Sequence, residues 1–166
     1  METSPAVNII VCSDRASRSD YEDKAGPAAS QWLQNAGFVI NSVKVIPDQH
    51  DVIKNSIQNA WEDCDVIILS GGTGISPTDM TPQVLHEISD YEVSGIGEQL
   101  RRESLKYSPN ALLSRGGAWM LRGKLIYALP GNPKAVVEQL DILGDLIHSS
   151  VIAAKGLCQH RGHKKT

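Results

Sequence analysis

Three short apolar runs, separated by segments with helical spacing, constrain this chain more than any other feature. Val7 to Cys12, Phe38 to Ile46 and Val66 to Leu69 read as strands. The last is nearly continuous in apolar character, as expected of a parallel strand covered on both faces. Between the first two, Gly26-Pro27 opens a helix through Ala28, Trp32, Leu33 and Ala36 that Gly37 stops, with proline at the start and glycine past the end. Asp51 to Glu62 places Val52, Ile53, Ile57, Ala60 and Trp61 at helical spacing. Such βαβαβ alternation predicts right-handed crossovers and helices on both faces of a sheet. Further on, Pro82 to Ile88 reads as a short helix and Ile96 to Tyr107 as a longer one, ended near Ser108-Pro109. Gly117 to Leu121 and Lys124 to Leu129 form a hairpin at Arg122-Gly123, and a helix starts at about Pro133. The expected fold class is α/β: a three-layer α/β/α sandwich whose sheet is mostly parallel with one antiparallel strand.

Composition narrows the function classes. A chain of 166 residues, 41% hydrophobic and 21% charged, fits one domain over residues 1–166 with a full core. The net charge of -3 and pI near 5.9 carry no footprint of nucleic-acid binding. Only residues 155–166 are basic, through His160, Arg161, His163, Lys164 and Lys165, and they read as a flexible solvated tail. Cys12, Cys64 and Cys158 have neither CxxC nor Cys/His metal spacing, which argues against a disulfide framework or zinc site and fits a reducing cytoplasm. The first residues lack the basic region of a signal peptide, and no apolar run is long enough for a bilayer.

The polar chemistry collects where strands end. Ser13-Asp14-Arg15 follows the first run, Asp48 the second and Gly71 to Asp79 the third. In an open parallel sheet ligands bind outside the carboxyl ends of the strands, so these segments are expected to converge. Gly71-Gly72-Thr73-Gly74 can turn backbone N–H groups toward an anion, and Pro130-Gly131-Asn132 offers a second such turn at a helix N-terminus. Phosphate is the anion this implies. The segment is not a dinucleotide fingerprint, because Pro77 stands where G-x-G-x-x-G needs its last glycine, and no G-x-x-x-x-G-K-[ST] occurs. A carboxylate beside phosphate is repulsive unless a cation lies between, so Asp48 and Asp79 point to Mg²⁺, which commonly takes one or two carboxylates together with substrate phosphates. Each aspartate has a plain alternative as a helix N-cap, Asp48 for the helix from Gln49 and Asp79 for the one at Thr81-Pro82.

These residues carry a resemblance. Ser70-Gly71-Gly72-Thr73-Gly74, then Asp79-Met80-Thr81-Pro82, then Leu129-Pro130-Gly131-Asn132-Pro133 resemble the molybdopterin adenylyltransferase family, shared with gephyrin-type G domains. Ser13-Asp14-Arg15, Asp23, Gly26-Pro27, Gly97-Glu98 and Ser114-Arg115 match its other landmarks, over roughly residues 7 to 145. The resemblance implies a usually trimeric α/β sandwich that joins AMP from ATP to the phosphate of molybdopterin and releases pyrophosphate, a step in molybdenum cofactor synthesis. A molybdate-insertion protein is an implied partner. It also implies catalysis through Asp48 and Asp79 with Mg²⁺, ATP phosphates on Gly71 to Gly74 and on Pro130, Gly131 and Asn132, and pterin contacts at Ser13, Asp14, Ser104 and Ser114. The attacking phosphate monoester is mostly dianionic at neutral pH and needs no general base; positioning and electrostatics supply the catalysis.

Two positions depart from the pattern. Thr78 stands where relatives often carry arginine, and Ala128 where asparagine is frequent and thought to touch the pterin. Two other functions share these residues, a protein that binds molybdopterin without adenylylating it and a nucleotide hydrolase using metal-bound water. Trp32 and Trp61 read as core, Trp119 as cover for a subunit contact, and His86 and His148 as helix residues without catalytic duty.

Overall fold

A computed structural model describes residues 4–156; Cys158 and the basic segment His160 to Lys165 lie outside the described residues. Strands β1 (Ala6–Cys12), β2 (Val39–Ile46), β3 (Val66–Ser70), β4 (Tyr91–Glu92), β5 (Gly117–Leu121) and β6 (Lys124–Leu129) form one sheet in the order β2-β1-β3-β6-β5-β4. β2, β1, β3 and β6 run parallel, and β5 is antiparallel to both β6 and β4. The expected single antiparallel strand is therefore β5. Its hairpin turns at Arg122 and Gly123, with φ of 45° and 79°, the pair of positive values that a two-residue turn between right-twisted strands requires.

Around the sheet lie helices α1 (Asp14–Ser17), α2 (Ala25–Asn35), α3 (His50–Ala60), α4 (Thr81–Ile88), α5 (Ser94–Ser104), α6 (Pro133–Leu143) and α7 (Leu146–Ala154), with a 3-10 turn at Pro109–Leu113. The chain steps from β1 to β2 on one side and then back to β3 on the other, so right-handed crossovers put α2 and α3 on opposite faces. Two cores follow from the alternation of side chains. Val7, Ile9 and Val11 of β1 and Ile68 of β3 pack with Leu33 of α2, Leu140 of α6 and Ile147 of α7. The intervening Ile10, Ile67 and Leu69 pack on the opposite face with Ile53 and Ile57 of α3 and Leu85 of α4. Fully burying one such side chain contributes about 1.5–3 kcal/mol, and both cores consist mostly of them.

Several elements differ from expectation. The helix from Pro133 breaks at Gly144, whose φ of 47° ends α6 and allows α7 to start separately. The helix expected over Ile96 to Tyr107 runs instead over Ser94–Ser104. Trp119 is not a surface cover: it is 1% exposed, within the second core, with His86 edge-on at 5.6 Å. Trp61 is buried as expected, whereas Trp32 is half-buried, donating its indole N–H to Asp141 at 2.6 Å. Ala128 is fully buried in the second core, so its methyl acts on packing and not on a ligand. No helix among the described residues is long and apolar enough to cross a membrane.

Candidate functional site

At the carboxyl ends of β1, β2, β3 and β6 a cleft of about 640 Å³ opens. The sheet order reverses between β1 and β3, which makes this its topological switch point. Ser13, Asp14, Asp48, Gly71, Gly72, Thr73, Gly74, Asp79, Gly131 and Asn132 all line it. Pro130 does not, although its carbonyl accepts the Ser70 hydroxyl at 2.8 Å, stitching the exits of β3 and β6 together. Ser104 and Ser114 do not line it either. Ser104, which the helical spacing presents as a surface serine, is buried and accepts from the Gln139 side chain at 3.3 Å. Ser114 uses its hydroxyl to accept the Gly116 N–H at 3.2 Å.

Two glycines answer to geometry. Gly71 has φ of 101°, and a Cβ there would overlap the Cys12 carbonyl oxygen. Gly72 has φ of 65°, and its Cβ would lie 2.6 Å from Thr81 Oγ1 and 2.7 Å from Asp48 Oδ1. Only glycine brings the loop backbone this close to the β1 exit and to the aspartate. Thr81 then fastens the loop, its hydroxyl donating to Gly71 O at 3.0 Å and its N–H to Gly72 O at 3.2 Å. Arg115 holds the far end, with N–H donated to Thr73 O at 2.8 Å, Nε to Gly74 O at 2.7 Å and Nη2 to Asp79 O at 2.9 Å.

The backbone donors divide. Gly71 N–H is spent on Leu129 O at 2.9 Å, so it offers nothing to an anion. The amides of Gly72, Thr73 and Gly74 have no acceptor among the described residues. At α6 the Asn132 side chain accepts the Lys134 and Ala135 N–H groups at 2.9 and 3.1 Å, and Pro133 has none to give. The first turn of α6 is thus capped by its own chain, and it reaches the cleft through the dipole rather than through free N–H groups.

Neither aspartate is a helix cap. The cap positions of α3 and α4 are Gln49 and Met80, without side-chain capping bonds. Asp79 Oδ2 instead accepts the Ser76 N–H at 2.9 Å, closing the turn before α4. Asp48 and Asp14 bridge the exits of β2 and β1 reciprocally: Asp48 N–H donates to Asp14 Oδ1 at 2.9 Å and Asp14 N–H to Asp48 Oδ2 at 3.2 Å. Asp48 Oδ1 is buried with no partner among the described residues. Burial pushes the Asp48 carboxyl up from 3.8 to about 6; the Asp14 N–H opposes this, and the charges of Asp14 and Asp79 add to it. A carboxylate oxygen without a donor, next to two further carboxylates, fits a cation. No cluster of three or more His, Cys, Asp or Glu that could hold a metal occurs among the described residues, but Mg²⁺ shared with phosphates needs only one or two protein carboxylates. Cys12 at the base of the cleft is inert, because burial pushes its thiol up to about 12.

On the β1 side of the cleft the sequence assigns Ser13 and Asp14 and nothing beyond them. Arg15, Arg18, Tyr21 and Lys24 line it, on the arm that joins β1 to α2. Their only signal was the landmark Ser13-Asp14-Arg15, since α1 is a single turn capped by Ser13 and too short to show a helical period.

The family model described as a probable molybdopterin binding domain matches residues 8–149. A molybdopterin adenylyltransferase of Escherichia coli strain K12 is 33% identical over 161 residues, covering 92% of this chain and 82% of that protein. A molybdenum cofactor biosynthesis bifunctional protein of Synechococcus elongatus is 36% identical over 149 residues, which is 89% of this chain and 47% of that protein; the chain spans about half its length. Among solved structures, the molybdopterin biosynthesis Mog protein of Mycobacterium ulcerans is 36% identical with a TM-score of 0.85, covering 93% of this chain and 99% of that one. With that match spanning both glycine turns, Asp48 and Asp79, the chain belongs to the molybdopterin-binding domain family of molybdenum cofactor biosynthesis.

Proposed function

We propose that the protein is a molybdopterin adenylyltransferase, a nucleotidyltransferase that joins AMP from ATP to the terminal phosphate of molybdopterin and releases pyrophosphate. Its relatives of that name support this reading, and one juxtaposition carries it: the open amides of Gly72, Thr73 and Gly74 share a cleft with Asp79 and with an Asp48 oxygen that lacks a donor. In this reading the Gly72 to Gly74 amides bind nucleotide phosphates, and Asp48 and Asp79 hold Mg²⁺. When bound, the ion neutralises the repulsion between the two anionic reactants. Arg115 keeps the Asp79 backbone in place, and Thr81 keeps Gly71 and Gly72 against the β1 exit. The pterin lies near Ser13 and Asp14, with Ser104 and Ser114 acting through the elements that carry them. The enzyme works as a cytoplasmic homotrimer and passes its product to a molybdate-insertion protein.

The test is pyrophosphate release by purified protein with Mg²⁺, ATP and molybdopterin. Release that needs the pterin and falls at least about a hundredfold in Asp79→Ala, with unchanged thermal unfolding, is the expected result. Release without pterin would mean a hydrolase, and pterin binding with no release would mean a binding protein.

A further inference from the structure

The groups assigned so far leave the arm from Arg15 to Lys24 without a role, yet among the described residues all the cations that line the cleft are on it: Arg15, Arg18 and Lys24. We propose that Arg18 and Lys24 form the subsite for the departing pyrophosphate, the β- and γ-phosphates of the nucleotide; this rests on the adenylyl-transfer reading above.

The arm is fixed at both ends. At the β1 end it is tied by the reciprocal Asp14 and Asp48 bonds. At the α2 end the Asp23 carboxylate accepts the Ala25 and Gly26 N–H groups at 2.9 and 3.1 Å. Between them the chain reverses at Ser19, with φ of 62°, and Asp20 N–H closes the turn on Arg15 O at 2.9 Å. The Asp14 and Asp23 carboxylates of the arm accept backbone donors, whereas its cations retain charge to offer. Arg15 lies over the Tyr21 ring at 5.3 Å. Among the described residues Arg18 meets only the exposed Asp20, at 3.1 Å, a contact of little worth in water. Lys24 has no carboxylate partner among the described residues.

The reaction requires such a wall. A pterin phosphate oxygen forms a bond to the α-phosphorus, and the bond from that phosphorus to the oxygen bridging to the β-phosphate breaks. The bonding pair leaves on that oxygen, so negative charge grows on the pyrophosphate with no proton and no further reactant involved. The side with Asp48 and Asp79 is acidic and cannot take that charge by itself. The β1 side, whose side chains include guanidinium and ammonium groups, can stabilise it as it develops.

The test measures binding of inorganic pyrophosphate and of AMP, each with Mg²⁺, by calorimetry, to wild type and to Arg18→Gln, Lys24→Gln and the double variant. Pyrophosphate affinity should fall about three- to tenfold per cation and at least about tenfold in the double variant, while AMP affinity stays within twofold. Arg18→Lys should recover most of the loss. Unchanged pyrophosphate affinity, or an equal loss for AMP, would overturn the assignment. Molybdopterin titrated into the same variants reads the remaining case: a loss confined to it would overturn the assignment too and give the arm to the pterin phosphate. Binding of neither AMP nor pyrophosphate to wild type would sink the adenylyl-transfer reading itself, a different result from AMP binding with pyrophosphate indifferent to the arm.

Discussion

Replacing Asp48 by asparagine should stabilise the protein without metal, by an amount that grows with pH. Asparagine keeps the carbonyl that accepts the Asp14 N–H but has no charge to desolvate. The Asp48 carboxyl sits at about 6 in the folded chain against an ordinary value of 3.8. A folded value raised this way means a contribution fully present below about pH 4 and lost as pH rises through 6. Taken whole, the difference would be about 3 kcal/mol; with the side chain half open to the cleft, screening reduces it to about 1–2 kcal/mol. For a chain of this length each kcal/mol moves the melting temperature by about 2–4 °C. Thermal unfolding of both proteins from pH 4.5 to 8 should show Asp48→Asn gaining on wild type by roughly 2–8 °C at the upper end and by about a third of that at the lower. Mg²⁺ with a non-hydrolysable ATP analogue should then raise wild type and leave the variant little changed, since a cation favours the charged carboxylate. A gap independent of pH, or an equal rise of both proteins, would refute the desolvated carboxylate and its cation together.

Gly71→Ala should cost about 3 kcal/mol or more in urea unfolding, because φ of 101° and the Cys12 carbonyl both exclude a methyl group; a loss under about 1 kcal/mol would contradict the described loop. Arg115→Lys keeps the charge but cannot fork between Gly74 O and Asp79 O, so the Mg²⁺ concentration for half-maximal activity should rise about fivefold or more. An unchanged Mg²⁺ requirement there would show that Asp79 is positioned without it.

Much of the fold was legible because its signals are local. The apolar runs of β1 and β3, the Gly37 stop after α2 and the Arg122-Gly123 hairpin each follow from a few adjacent residues, and the helices between β1, β2 and β3 then put these three strands in parallel order. What escaped lacked a local signal. β4 is two residues long, Tyr91 and Glu92, and exists only because β5 is there to pair with it. The helix from Pro133 was given no end, since the positive φ that stops it at Gly144 is not written in the letter. The convergence of Asp14, Asp48, Gly71 to Gly74 and Asp79 on one cleft followed from the rule for strand ends, which depends on topology alone. The use of each donor did not. That Gly71 N–H is spent on Leu129, that Asn132 caps its own helix and that Ser104 is buried against Gln139 all depend on partners distant in sequence.

The same distant contacts connect stability to the proposed chemistry. Asp48 is held near Gly72 by the Asp14 bridge and loses hydration there, which costs the free protein folding energy at neutral pH. That cost disappears when a cation takes the unpartnered oxygen, so the energy lost to folding reappears as affinity for the metal with its phosphates. Asparagine at this position removes both together. A variant more stable than wild type and unable to transfer AMP is therefore the signature expected of a carboxylate placed for function at the expense of folding, whereas an aspartate placed to cap or brace the chain would lose stability on the same substitution.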